Sequence, residues 1–258
     1  MKISKMTQRS FLCDRVVVTV PTKWIELSQN DLRYVIRLLW IYGETPDWQN
    51  RVRVAAFLHF AGIEVYHRTD AGWLCRKGKQ TFNLNPELLP ELVAPLDFLC
   101  HSEEMNVRIE EAAGHKAYDF ELTELPFGLY LQLENYYQGF LQTRAMDALQ
   151  KIAEILYQCQ GESPEFKEEE LFGAFLWYGA VKLLLSRFHP HFLKKSEESA
   201  DITQESMREG MLAQIRLLTK GDVTKQRYIL EETDTWMALD ELDALARDAD
   251  EIKKKYGN

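Results

Sequence analysis

Apolar residues recur along this chain mostly at helical spacing, and they crowd most densely in Leu171–Phe192, LFGAFLWYGAVKLLLSRFHPHF. No charged residue occurs from Leu171 to Val181, and apolar or small groups fall on every side of any helix drawn through the run. A helix apolar nearly all round must be buried by other elements or by lipid. A bilayer span needs about 20 such residues. The charge-free run here has 11, Lys182 and Arg187 interrupt its continuation, and FKEEE precedes it. The pattern therefore predicts the central helix of a mostly helical domain, ended by Pro190, with no membrane as partner.

The N-terminal hundred residues show mixed periods. Arg15–Val20 (RVVVTV) is short and β-branched, and predicts a strand ended by Pro21. Ser28 is placed to cap a helix with Asp31 at its third position. Leu32, Val35, Ile36, Leu39 and Trp40 then recur at helical spacing, and Gly43 is suited to end the helix in a left-handed turn. A second helix fits Gln49–Ala61, with Gly62 after it. Ile63–Arg68 alternates, Asp70-Ala71-Gly72 is a turn signal, and Trp73–Arg76 and Gln80–Leu84 flank a tight turn at Lys77–Lys79. That predicts a small antiparallel meander. Asn85-Pro86 opens a helical turn.

Residues 101–125 lack periodicity and predict a linker or extended connection, with a strand near Val107–Ile109. Beyond them the helical period returns. Helices are predicted over Phe127–Phe140, from a Thr143 cap through Tyr157, over the central run, over Ser206–Lys220 after a polar loop at Lys194–Gln204, and from an Asp222 cap along Val223–Tyr256. No repeat of 20–50 residues is present, which excludes a solenoid. The fold class is thus mainly α. An α+β region with a small antiparallel meander spans residues 1–100, and a C-terminal helical domain around the central apolar helix spans residues 126–258.

Composition fits this picture. Hydrophobic residues make up 46% and charged residues 28%, as in a soluble globular protein, and aromatics at 12% argue against disorder. A net charge of −9 disfavours nucleic acid unless the bases cluster. Cys13, Cys75, Cys100 and Cys159 form no CxxC pair. With no apolar leader in MKISKMTQRSFLCD, they imply a reducing, cytoplasmic setting.

Motifs that carry chemistry are missing. Gly72-Trp-Leu-Cys-Arg-Lys-Gly78-Lys79-Gln80 has five residues between its glycines, where a P-loop has four, and Gln80 stands where the magnesium-binding Ser or Thr belongs. It predicts a hairpin turn. Pro190 between His189 and His191 prevents the i, i+4 pairing of helical metal sites, so both histidines are assigned to the carbonyl end of the central helix. There is no GxSxG nucleophile elbow. Glu168-Glu169-Glu170 suits the first turn of a helix. No catalytic residue, cofactor or metal is implied, and the balance is against an enzyme.

Two surfaces remain. The first is basic: between Trp48 and Gln80 the chain carries Arg51, Arg53, Arg68, Arg76, Lys77 and Lys79 against Glu64 and Asp70, a local excess of +4. Two helices followed by a hairpin resemble part of a winged helix–turn–helix, whose hairpin tip contacts phosphates. Arg51, Arg53, Arg76, Lys77 and Lys79 are the candidate nucleic-acid contacts. The alternative is a solvated charged face, and the third helix of a winged domain is missing. The second surface is the last helix. Leu242, Leu245, Ala249, Ile252 and Tyr256 step by 3, 4, 3, 4, and Glu231–Glu251 carries nine acids against Arg247. Such a seam packs on its own domain, on a protein partner or on a second copy.

Several stretches resemble an uncharacterised protein family of Bacteroidetes prophages and related mobile elements. AQIRLLTKGDVTKQRYILEETDTWMALDELDALARDADE (Ala213–Glu251) carries the resemblance most specifically. LQLENYYQGFLQT (Leu131–Thr143), FLWYGAVKLLLSRFHPHF (Phe175–Phe192), RKGKQTFNLNPELLPELVAPLDFL (Arg76–Leu99) and VPTKWIELSQNDLRYVIRL (Val20–Leu38) are similar to it as well. The resemblance transfers no catalytic residues. It implies a phage-derived, non-enzymatic structural or assembly protein acting through protein–protein contacts, cytoplasmic or virion-associated. The alternative is a nucleic-acid-binding module.

Overall fold

The computed structural model describes residues 9–13, 16–69, 72–194 and 203–256. The chain divides into two compact units, each discontinuous in sequence. One is Met1–Glu110 with Lys167–Trp177, and the other is Glu111–Phe166 with Tyr178–Asn258. This differs from the contiguous division into residues 1–100, 101–125 and 126–258. Helical spacing marks helices but not the unit on which each half of a long helix packs.

In the first unit, β1 (Arg9–Cys13) pairs antiparallel with β2 (Val16–Val20). Val16, Val18 and Val20 are buried while Val17 faces out, as a half-buried strand requires. Then comes α1 (Gln29–Tyr42). Ser28 caps it as expected, with its Oγ accepting from the Asp31 N–H at 3.2 Å and donating to Asp31 Oδ2 at 2.6 Å. Gly43 closes it, but in the right-handed region (φ −54°) rather than the left-handed turn expected. Its glycine is needed for space instead, because a Cβ would stand 2.6 Å from Leu39 O. The second helix, α2 (Trp48–Ala61), does end in a left-handed glycine, Gly62, whose N–H bonds His59 O while Ile63 N–H bonds Leu58 O. Leu32, Val35, Ile36, Val52, Ala56 and Phe57 are buried between these elements.

The meander follows as β3 (Glu64–Thr69), β4 (Gly72–Lys77) and β5 (Gln80–Leu84), in the order β3-β4-β5. Gly78 takes φ 57° at the first central position of the β4–β5 turn, which favours glycine. Cys75, Phe82 and Leu84 face the core. The alternation of Ile63–Arg68 does not yield a half-buried strand: all of β3 is exposed, and its register slips between Val65 and His67. As an edge strand, β3 is protected by that bulge and its charges rather than by burial. Asn85 caps the helical turn that follows, accepting from Glu87 N–H, and a short α3 (Leu89–Val93) continues it.

Residues 101–125 are not a loose linker. Gln29 accepts from Glu110 N–H and donates to Arg108 O, both at 3.0 Å, while Met105 and Ile109 are buried. The strand expected at Val107–Ile109 does not form. A two-residue hairpin arm, β6 (Glu111–Ala112) with β7 (His115–Lys116), lies just beyond it, turning at Ala113 and Gly114, both at positive φ. Its backbone pairs locally, so isolated apolar residues could not announce it.

The second unit holds α4 (Phe127–Thr143) and α5 (Met146–Leu156). Thr143 does not cap the second of these. It ends the first, its hydroxyl donating to Gly139 O, and Arg144 turns the chain in the left-handed region. The central run forms α6 (Glu168–Phe188), the one helix among the described residues long and apolar enough to cross a membrane by length and composition. Its N-terminal half belongs to the first unit and its C-terminal half to the second. Leu171, Ala174 and Trp177 are buried in one, Tyr178, Val181 and Leu185 in the other. The remainder is α7 (Gln204–Thr219), α8 (Gln226–Glu231) and α9 (Thr235–Tyr256). Arg15, the Asp70-Ala71 turn and most of Lys194–Gln204 lie outside the described residues.

Candidate interaction surfaces

The basic stretch is largely satisfied within its own unit. Arg53 donates to Asp97 Oδ1 at 3.1 Å and to Asn50 Oδ1 at 2.8 Å. Arg76 donates to Glu64 Oε2 at 2.7 Å and lies 4.8 Å from the Tyr66 ring centroid. That contact holds the Glu64 carboxyl below the ordinary range. Lys77 Nζ donates to Val17 O at 2.9 Å, tying β4 to β2. Arg51 lines a shallow hollow of about 380 Å³ beside Tyr42, Asp47 and Asn50. Lys79 sits exposed at the tip of the β4–β5 turn. The cations therefore come from one contiguous region, but three of the five candidates are engaged by their own fold. A count along the sequence cannot see Asp97 approaching Arg53 from 44 residues away.

The last helix is shorter than its periodicity implies. Helical spacing over Val223–Tyr256 is interrupted at residues 232–234, where the chain turns at Glu232, bends at Thr233 and pairs Asp234 with Pro126. Phe127 N–H donates to Thr233 O and Thr235 N–H to Leu125 O, both at 2.9 Å. The Asp222 cap does form, but it opens only a single turn, Val223–Lys225, leading into α8. Asp234 then caps α9, its Oδ1 accepting from Trp236 N–H at 2.8 Å. The break exists because backbone pairing with residues 125–127 competes with helix at that point, a long-range effect that local spacing does not carry.

The acids of α9 have assigned places. Asp240 Oδ1 lies 3.1 Å from His189 Nε2, while His189 Nδ1 lies 2.9 Å from Leu185 O, at the carbonyl end of α6 where the sequence placed it. Asp243 Oδ1 accepts from both His191 N–H (2.7 Å) and Phe192 N–H (2.9 Å). Asp250 receives Lys194 and stands 3.8 Å from His191 Nδ1. His189 is fully buried and lies 5.5 Å, ring to ring, from Trp236. One face of α9 thus receives the His189-Pro190-His191 loop.

Its apolar seam divides between inside and outside. Leu242 is buried with Ala238 and Leu239, and Leu245 is half-buried. Ala249 is exposed, Ile252 is 59% exposed and Tyr256 83%. The first part of the seam packs intramolecularly, and the last two turns present it to solvent.

A cleft of about 360 Å³ between α4, α5 and the turn at 158–162 was not signalled by any motif. Tyr136, Lys151, Glu154 and Cys159 line it. Burial pushes the Cys159 thiol up to about 11, helped by Glu154 and Glu162, so it is protonated at neutral pH and a poor nucleophile. Burial also pushes Glu154 up, but hydrogen bonds from Lys151 (2.6 Å), Ser163 (2.6 Å) and Gln150 (3.2 Å) outweigh it and hold the carboxyl below the ordinary range. The nearest amine is thereby committed to the nearest carboxylate. Among the described residues there is no cluster of three or more His, Cys, Asp or Glu that could hold a metal ion. Comparison with protein-family models, with curated proteins and with solved structures finds no match.

Proposed function

We propose that this chain is a non-enzymatic protein that acts through protein–protein contacts, as a structural or assembly component of a phage-derived element. The observation that supports it best is the divided seam of α9. An apolar stripe continuing past the edge of its own core, on a helix whose C-terminal turns are otherwise charged, is the form of a docking element. The cleft supports the non-enzymatic side, since its thiol is protonated and its lysine is paired with Glu154. The phage-derived setting rests on the resemblance of Ala213–Glu251 and the other stretches, and implies a cytoplasmic or virion-associated place of action.

A photo-crosslinking residue placed at Ile252 in the native host tests the reading. Protein adducts at that position, absent when the same residue is placed at the exposed Lys79, are expected. Adducts at neither position would overturn it. Removing everything after Lys220 is a poor substitute, because it takes Ala238, Leu239 and Leu242 out of the core. Ending the chain after Arg247 keeps those core residues and removes the solvent-facing turns, together with the Asp250 contacts to His191 and Lys194.

A further inference from the structure

The tail of α9 is complementary to itself, and we infer that it pairs antiparallel with the tail of a second copy of this chain. The inference rests on the protein-contact reading and names the partner. The seam residues step as a heptad with Leu242, Ala249 and Tyr256 at one core position and Leu245 and Ile252 at the other. A two-fold antiparallel alignment sets Ala249 against Ile252 of the other copy and Leu245 against Tyr256. Each layer then joins a smaller side chain to a larger one. A parallel alignment stacks Ala249 on Ala249 and leaves a void, which packed interfaces avoid.

Charge selects the same arrangement. Glu241, Asp248 and Lys255 share one heptad position flanking the seam, and in an antiparallel pair that flank faces itself. In the alignment just described Lys255 of each copy meets Asp248 of the other, so two ion pairs close around the apolar layers. Asp248 is exposed and lies 3.9 Å from Arg247 Nε of its own helix, a long contact that a facing lysine replaces readily. Among the described residues Lys255 makes no ion pair, and Asp240, Asp243 and Asp250, which engage the His189–Lys194 loop, lie on another side of the helix. Apart from the half-buried Leu245, the pairing therefore uses groups that the monomer leaves exposed. A two-fold contact of this kind is isologous and closes at a dimer. It is also short, so the Kd belongs on the order of 10–100 μM.

Sedimentation equilibrium of the full chain over ~1–300 μM tests the inference. The apparent mass is expected to rise from the monomer value of 30.2 kDa toward twice that. Ile252→Asp is expected to hold it at monomer. This site is solvent-facing, so circular dichroism should be unchanged. Asp248→Lys should weaken Kd about tenfold by setting two lysines against two lysines. Asp248→Lys with Lys255→Asp should restore it, which parallel pairing would not produce. A wild-type chain that stays monomeric throughout, or an Ile252→Asp chain that dimerises unchanged, overturns the inference. If the wild type is monomeric yet residue 252 crosslinks to a different protein in the host, only the second-copy inference falls. If it crosslinks to nothing, the protein-contact reading falls with it.

Discussion

Glu134 in the second unit and Glu170 in the first are held in similar ways. In the second unit Glu134 accepts from Lys182 Nζ at 2.5 Å, Gln138 at 2.7 Å and the buried Tyr178 hydroxyl at 3.1 Å. In the first, Glu170 accepts from Arg33 at 2.6 Å and from Lys167 N–H at 3.0 Å, with its side chain 6% exposed. The sequence assigned the Glu168–Glu170 triple to the helix dipole, and the structure adds the Arg33 pair and a Trp40 Nε1 bond to Glu168. Removing one partner of such a pair is costly because the other charge stays behind, partly desolvated. Glu154 makes a pH-dependent prediction. Its folded-state pKa is depressed, so its contribution is fully present above its ordinary value of 4.5 and is lost as pH falls through the lower folded value. Urea denaturation of wild type and Glu154→Gln should differ at pH 7 and converge toward pH 3. A gap that widens on acidification would reverse the sign. Trp177, 1% exposed, carries a second prediction: Trp177→Ala should lose about 3–5 kcal/mol in the same assay, whereas a change near zero would place α6 at the periphery.

At the scale of elements, α6 and α9 behave differently under the same periodicity argument. For α6 the run with no polar face left only burial, and the helix formed with its acids at the start and Arg187 in the last turn. For α9 the spacing alone continued back to Val223, and the turn at residues 232–234 cut it where Leu125–Phe127 offered backbone partners. Helix propensity is a weak preference that a few paired N–H and C=O groups override. Thr143 is a similar case, a plausible N-cap by type that instead closes the preceding helix. The α9 contact with the loop after α6 is testable at Asp243. Asp243→Ala leaves the His191 and Phe192 N–H groups without their acceptor, and should cost about 1–3 kcal/mol and speed amide exchange at both positions. Unchanged exchange would show that the loop is held by other contacts.

For the molecule as a whole, sequence order and compact unit do not coincide. Unit one needs Lys167–Trp177, which follows more than fifty residues belonging to the other unit. A chain ending at Glu110 lacks Leu171, Ala174 and Trp177, and is expected to lose cooperative unfolding. A sharp, native-like transition for that fragment would show the strands and first helices to be self-sufficient. The basic region carries its own whole-surface prediction. With Arg53, Arg76 and Lys77 engaged by their own fold and a net charge of −9, duplex DNA should not be retained on a filter at low salt. Retention that falls steeply with salt would revive the nucleic-acid reading.

Local pattern along the chain was enough for the mainly α class, the antiparallel meander, the Ser28, Asn85 and Asp222 caps, the burial of the central run, and the two surfaces worth testing. These follow from nearest neighbours along the chain: a period, a cap, a turn, a stretch with no charge. Long-range packing settles the rest: residues 101–125 are anchored, β3 is an exposed edge, the final helix starts at Thr235, and its seam passes from core to solvent between Leu242 and Ile252. It also gathered the cleft around Glu154 and matched Arg53 to Asp97. Each of these depends on which distant residue arrives alongside. Local spacing encodes a side chain's face but not the partner that face meets.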